Sequence, residues 1–269
     1  MELGLNGQVV VVAGAANGIG RAIAQEFAAE GAHIALLDRD PAVENLAEQW
    51  AGQYPGDLRA VVVDVTDYAG LGQAARQIEQ DLGPVAHVVF AVGIGSGQTG
   101  FPFWNVDPER WEPVLRVNLL GAVYMIYAFT PPMIERRFGS VLFLGSVAGQ
   151  IGSQTDPPYS ASKAALINFA QGAAKDLAAY DIRVNTLNPG MVDTQLNRTI
   201  WAAICRNLPA DQRPDYESWA AEKLKRMVPL NRWQEPEDIA AMAVFLASVR
   251  AKNITGQTIN VDGGFVMHS

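Results

Sequence analysis

The sequence predicts an α/β fold with a doubly wound, parallel sheet in a single domain over residues 1–269. Three observations carry this expectation. Short, continuous runs rich in β-branched residues alternate with longer amphipathic runs. The first short run ends in a glycine cluster that opens a helical pattern. No Pro- or Ser-rich linker and no internal repeat divides the chain.

The strand candidates are 8–13 (QVVVVA), 34–37 (IALL), 60–63 (AVVV), 86–92 (AHVVFAV), 140–144 (SVLFL), 182–187 (IRVNTL) and 257–261 (QTINV). Runs that are apolar throughout suit strands buried on both faces, as parallel strands are. Helical patterns occupy 20–30, 43–52, 68–82, 161–179 and 236–247. Strict alternation of the two implies βαβ units with right-handed crossovers. One stretch breaks the rhythm. Residues 191–232, with a helical pattern near 216–228, exceed an ordinary connection and are read as a lid over a site rather than a surface insertion.

Composition narrows the function. Apolar residues make up 49% and charged residues 18%, enough for a large core and too little charge for disorder. Twenty Lys and Arg against 28 Asp and Glu give a net charge of -8, which repels nucleic-acid backbones. Cys205 is the single cysteine, so neither an internal disulfide nor a cysteine-based zinc site is available, and His33, His87 and His268 lack metal-ligand spacing. No metal is expected. The first residues carry no basic segment leading into an apolar one, and no apolar run reaches spanning length, so a cytoplasmic protein without membrane partners is expected.

Gly14-Ala15-Ala16-Asn17-Gly18-Ile19-Gly20 lies after a strand and before a helix. In that setting glycines let backbone N–H groups approach a pyrophosphate at the helix N-terminus, the Rossmann arrangement. Asp38 ends the second strand, about 20 residues on, where a carboxylate can accept hydrogen bonds from both adenosine ribose hydroxyls. A 2′-phosphate would meet like charge there, and Asn17 supplies no cation, so NAD is expected over NADP despite Arg39 next door. Asp64 and Val65 follow the third strand. Asp64 reaches an adenine amino group or merely caps the next helix, and by itself capping is the stronger reading.

Tyr159 and Lys163 stand at i and i+4 on one helical face, where an ammonium beside a phenol favours the phenolate. Ser146 ends the fifth strand, 13 positions before the tyrosine. Taken in order, Gly14-x-x-x-Gly18-x-Gly20, Asp64, Asn118, Ser146, Tyr159-x-x-x-Lys163, Asn188-Pro189-Gly190, Gly256-Gln257 and Asp262-Gly263-Gly264 resemble the short-chain dehydrogenase/reductase family over nearly the whole chain. The resemblance implies a seven-stranded sheet, a nicotinamide cofactor, a homotetramer and a catalytic set of Asn118, Ser146, Tyr159 and Lys163. Tyr159 would be the general acid/base, Lys163 would lower its pKa and hold the nicotinamide ribose, and Ser146 would orient the substrate oxygen. Asn118 would help hold a water linking Lys163 to solvent. Ala91, Gly93, Pro189 and Gly190 would border the cofactor, with the Val192 backbone at its carboxamide and the Thr194 hydroxyl near the carboxamide or a phosphate. Two departures stand out: Ala13 where the family usually has Thr, and Phe90-Ala91-Val92-Gly93 where it usually has Asn-Asn-Ala-Gly.

The substrate is read from the loops. Residues 93–104, 149–158 and the lid are the expected walls. Ser96, Gln98, Gln150, Ser153, Gln154 and Thr155 offer neutral hydrogen-bonding groups there, and Trp104 and Trp201 flat apolar faces, a combination suited to a sugar or polyol. The expected reaction interconverts a secondary alcohol, or a hemiacetal hydroxyl, with a carbonyl. The alternative is a 3-oxoacyl-type or other carbonyl reductase; a non-catalytic nucleotide-binding scaffold is remote. Arg198 and Arg206 could meet an anionic group but read better as a solvated helix face.

Overall fold

The computed structural model describes residues 2–193, 195–206 and 208–267. Seven strands form one sheet in the order β3-β2-β1-β4-β5-β6-β7. They are β1 (Val9–Ala13), β2 (His33–Asp38), β3 (Leu58–Val62), β4 (Val85–Phe90), β5 (Gly139–Leu144), β6 (Ile182–Pro189) and β7 (Thr258–Val261). Every neighbouring pair is parallel. Central strands β1, β4 and β5 are buried at every residue, whereas edge strands β3 and β7 are partly exposed. This is the physical content of the apolar runs: only strands covered by helices on both faces can be apolar throughout.

The helices are α1 (Gly18–Ala29), α2 (Ala42–Trp50), α3 (Tyr68–Leu82), α4 (Trp111–Leu115), α5 (Gly121–Arg136), α6 (Ala148–Ile151), α7 (Pro157–Ala178), α8 (Gln195–Arg206), α9 (Tyr216–Met227) and α10 (Pro236–Ala247). One layer buries Ile23, Phe27 and Leu46 together with Ile239 and Val244 of α10. The other buries Leu71, Ile78, Met125, Phe129, Leu166 and Leu177. The strand order reverses between β1 and β4, and in such sheets the crevice beyond the strand C-termini at that point is the binding site.

Besides the short α4 and α6, two longer helices were not expected from the sequence. The run Pro108–Arg136 is long and apolar enough to cross a membrane by length and composition alone. Here Ala122, Met125, Ile126, Phe129 and Met133 bury one face of α5 in the sheet layer, while Tyr127 stays exposed. Pro131 and Pro132 lie inside α5 and mask it in the sequence, because an interior proline removes a helical donor. The second is α8, in the segment read as a lid; with α9 it makes that segment mostly helical.

His87 is buried on β4, its ring nitrogens paired with Ser140 Oγ (2.8 Å) and Gln8 Oε1 (2.5 Å). Burial, with the nearby Arg183 charge, pushes its pKa down to about 3, so it serves as a neutral core residue.

Candidate active site

The glycine loop is shaped by close approach. Gly14 has φ +85, and a Cβ there would lie 3.0 Å from the Ala91 carbonyl on the neighbouring strand. A Cβ on Gly20 would stand 2.1 Å from the Gly14 carbonyl oxygen, so α1 seats against the loop only with glycine at that position. Asn17 caps α1 without a side-chain hydrogen bond to the first turn, which leaves its first N–H groups facing the cleft. The residues fit a dinucleotide on these grounds: backbone-lined and free of side chains where a pyrophosphate must approach.

Beside the loop, a cavity of about 240 Å³ is bordered by Gly14, Asn17, Asp38, Asp64, Val65, Ala91 and Gly93. Asp38 accepts hydrogen bonds from the N–H groups of Ala16 and Asp40, both at 3.0 Å, so the carboxylate is fixed in place against the loop. Asp64 is exposed on the rim and accepts from the N–H and hydroxyl of Thr66, both at 2.8 Å. The Thr66 N–H, chiefly, holds its pKa below the ordinary carboxylate range. Capping of α3 falls to Asp67, which accepts from Gly70 N–H. The capping alternative for Asp64 is therefore corrected: Asp64 orders the turn that precedes the helix.

A larger cleft of about 780 Å³ adjoins this cavity. Gly18, Ile19, Gly20, Pro189, Gly190 and Val192 border it together with Ser146, Tyr159 and Lys163. Thr194 lies outside the described residues. Asp156 caps α7, accepting from Tyr159 N–H, and Pro157 and Pro158 open the helix at positions that need no donor. Tyr159 thus sits in the first turn of α7 and shares the cleft with Ser146, which follows β5. Burial pushes the Tyr159 pKa up to about 12; the Ser146 hydroxyl opposes this and the Asp156 charge adds to it. Lys163 is 2% exposed and donates to the Leu144 carbonyl at 2.7 Å, its ammonium 5.6 Å from the Tyr159 ring centre. Burial pushes its own pKa down to about 8. In this arrangement the Lys163 ammonium is aimed at the Leu144 carbonyl, and burial, not Lys163, leads the shift of the phenol.

Asn118 does not line the cleft. It is fully buried in a single π-helical turn, Arg116–Leu120, between α4 and α5. Its amide donates to Ile94 O (2.9 Å) and Ser162 Oγ (3.0 Å), and its oxygen accepts from Ile94 N–H (2.8 Å). It therefore ties the loop after β4 to α7. Single π turns of this kind often occur at functional sites.

Four residues read as substrate contacts, Ser96, Gln98, Gln154 and Trp201, are placed elsewhere. The loop after β4 lies against 154–156: Gly100 N–H bonds Thr155 O at 3.0 Å, and a Cβ on Gly100 would stand 2.1 Å from Gln154 O. Gly100 thus serves packing rather than ligand access. Ser96 is buried, exchanging hydrogen bonds with the Gln98 backbone. The Gln98 amide is spent on Asp107, donating to its carboxylate (2.6 Å) and accepting from its N–H (2.8 Å). Gln154 is exposed away from the cleft lining. Trp201 donates to Pro214 O at 3.1 Å and meets Tyr216 edge-on, 5.9 Å between ring centres. It holds α8 to the segment after it instead of facing a substrate. The cleft wall is built from Ser153 and Thr155 of the expected 149–158 segment, together with Ile151, Asn197, Ile200, Lys223, Met227 and Phe265. Of these, Lys223 was detectable, since it stands four residues after Trp219 on one helical face.

A family model described as enoyl-(acyl carrier protein) reductase matches residues 14–266. The chain belongs to the short-chain dehydrogenase/reductase family. An acetoacetyl-CoA reductase of Synechocystis sp. is 34% identical, covering 98% of each chain. A galactitol 2-dehydrogenase of Agrobacterium fabrum is 35% identical, covering 97% of this chain and 98% of its own. The solved structure of L-sorbose reductase from Gluconobacter frateurii, complexed with NADPH and L-sorbose, superposes with a TM-score of 0.89 at 29% identity over 100% of both chains. Such dehydrogenases bind a nicotinamide cofactor and a small substrate, and this chain is an oxidoreductase acting on alcohol or carbonyl groups.

Proposed function

We propose that the protein is an NAD-dependent dehydrogenase that interconverts a secondary alcohol of a sugar or polyol with a carbonyl. The observation that carries the catalytic half is the convergence of Ser146, Tyr159 and the buried Lys163 on one cleft. With a dinucleotide's pyrophosphate held at the glycine loop, its nicotinamide would supply the hydride chemistry. Tyr159 gives its proton to the carbonyl oxygen in reduction and takes it from the hydroxyl in oxidation, while Ser146 holds that oxygen. With its pKa pushed up to about 12, the phenol stands protonated at neutral pH, ready to act as the acid, and oxidation is favoured by rising pH. Lys163, anchored on the Leu144 carbonyl, lies where it can bond the nicotinamide ribose.

Asp38 supports NAD, since its fixed carboxylate borders the adenosine cavity. Ser153 and Thr155 in the cleft, with relatives acting on galactitol and L-sorbose, support the sugar or polyol reading. The apolar wall of Ile151, Ile200, Met227 and Phe265, with the acetoacetyl-CoA reductase relative, favours a second reading as a 3-oxoacyl reductase. Initial rates with sugars, polyols and 3-oxoacyl thioesters, each with NAD(H) and NADP(H), separate the two. Turnover of thioesters alone, with NADPH, rejects the first. We also propose self-association through α7, where Ala161 and Ala164 are exposed and Ala165 is half-buried; Ala170 and Ala173 are buried in the chain's own core and are unavailable.

A further inference from the structure

The lid carries an aromatic row with two cations laid on it. Trp201 meets Tyr216 at 84°, and Tyr216 meets Trp219 at 38°, with ring centres 5.9 Å apart in both pairs. Arg198 from α8 sits 4.2 Å above the Tyr216 ring. Lys223 from α9 places its ammonium 4.6 Å from the centre of the Trp219 ring. Cation–aromatic contacts of this kind hold a long side chain in one orientation without neutralising it. Of the two cations, Lys223 borders the cleft that contains Ser146 and Tyr159.

Among the described residues, no carboxylate lies within ion-pair distance of Lys223. Asp156, on the same cleft, is engaged by the N–H groups of Ser96 and Tyr159. Asn197 spends its amide on the Val192 carbonyl. The neighbouring wall is apolar, from Ile200, Met227, Ile151 and Phe265. Burial, with Arg226 nearby, pushes the Lys223 pKa down to about 8, as an ammonium short of hydration and of a partner requires. An anionic ligand group would restore what the fold withholds, and in a desolvated cleft that bond is stronger than in water.

We infer that Lys223 is a specificity-determining residue that binds a carboxylate on the substrate, so that the substrate class is a polyhydroxylated acid of the aldonate type. This rests on the sugar or polyol reading and narrows it. A single negative charge fits better than a phosphate. Among the described residues, the only other ammonium lining the cleft is Lys163, which is committed to Leu144 O; no arginine lines it, and Asp156 and Asp193 do. A dianion would find no fork of donors and two like charges.

The experiment compares a series of four- to six-carbon polyols, the matching aldonates and the matching sugar phosphates, with NAD, in wild type, Lys223→Met and Lys223→Arg. Wild type is expected to turn over an aldonate with kcat/KM at least tenfold above its matching polyol. Lys223→Met should cut that ratio at least tenfold, through aldonate KM rather than kcat, and Lys223→Arg should recover most of it. The KM for NAD and the thermal midpoint serve as controls. A loss falling on NAD would make Lys223 a cofactor contact, and an equal loss on polyol and aldonate would make it a packing residue; either overturns the inference. So does a preference for the sugar phosphates. If neutral polyols are oxidised with no gain from a carboxylate, the Lys223 inference fails while the sugar or polyol reading stands. If only 3-oxoacyl thioesters react, that reading fails and the inference with it.

Discussion

Replacing Asp38 by serine should move cofactor preference from NAD toward NADP, and the size of the shift follows from the geometry. The carboxylate is pinned by two N–H groups at 3.0 Å, so it cannot swing away from a 2′-phosphate. Such a phosphate carries about -1.5 to -2 charges at neutral pH. At roughly 5 Å, a charge of about -1.5 is repelled by about 1 kcal/mol at the dielectric of water and about 5 kcal/mol at an effective value near 20. Asp38 is half-buried, so an intermediate ~2–3 kcal/mol applies, or roughly 30- to 150-fold against NADP. Serine removes this repulsion. It also removes charge-assisted bonds to the ribose hydroxyls, which contribute ~1.5–3 kcal/mol to NAD binding.

Both changes push in one direction, so the ratio of kcat/KM for NAD over NADP should fall at least about 100-fold. Arg39, exposed beside the site, would then be free to pair with the phosphate. Steady-state kinetics with both cofactors at one ionic strength make the measurement. The thermal midpoint checks the fold, because the Ala16 and Asp40 N–H groups lose their acceptor. A wild type that already prefers NADP, or a well-folded variant whose ratio moves less than tenfold, refutes the role given to Asp38.

Four further outcomes are expected. Tyr159→Phe should keep the fold and NAD binding but lower kcat by at least about 10²- to 10⁴-fold, read by single-turnover kinetics; near-normal turnover rejects the acid/base assignment. Asp156→Asn keeps a helix cap but removes a charge that raises the Tyr159 pKa, so the rise of oxidation with pH should move to lower pH; a profile that stays put removes Asp156 from the electrostatics of the site. His87 is held neutral in the fold down to about pH 3, whereas an unfolded imidazole protonates near 6.5, so the unfolded state binds more protons in that window. Stability should therefore fall as pH drops from about 6.5 to 3, by up to about 5 kcal/mol, and His87→Asn should flatten the urea midpoint over that range. Light scattering at working concentration should give a mass near four chains, and a monomer rejects self-association through α7.

The parts of the molecule legible in the sequence are those decided within a few residues of chain. A buried parallel strand must be apolar on both faces, so the central strands announced themselves, and the glycine loop is a local device whose geometry Gly14 and Gly20 impose directly. Tyr159 and Lys163 share a helix face by spacing alone. The helix α5 was hidden because Pro131 and Pro132 argue locally against it, while packing of Met125, Phe129 and Met133 on the sheet decides for it. The substrate wall was hidden for a stronger reason. A polar side chain in a loop becomes a ligand contact only if the fold leaves it without a partner, and partners are set by tertiary structure. Gln98 is consumed by Asp107, and Trp201 by Pro214 and Tyr216. Both are polar or aromatic in the expected segments, and neither reaches the cleft. Lys223 passes the opposite test: its aromatic neighbour positions it, its surroundings desolvate it, and no described carboxylate neutralises it. The residues that bind substrate in such a cleft are therefore found among the side chains the fold has positioned but not satisfied.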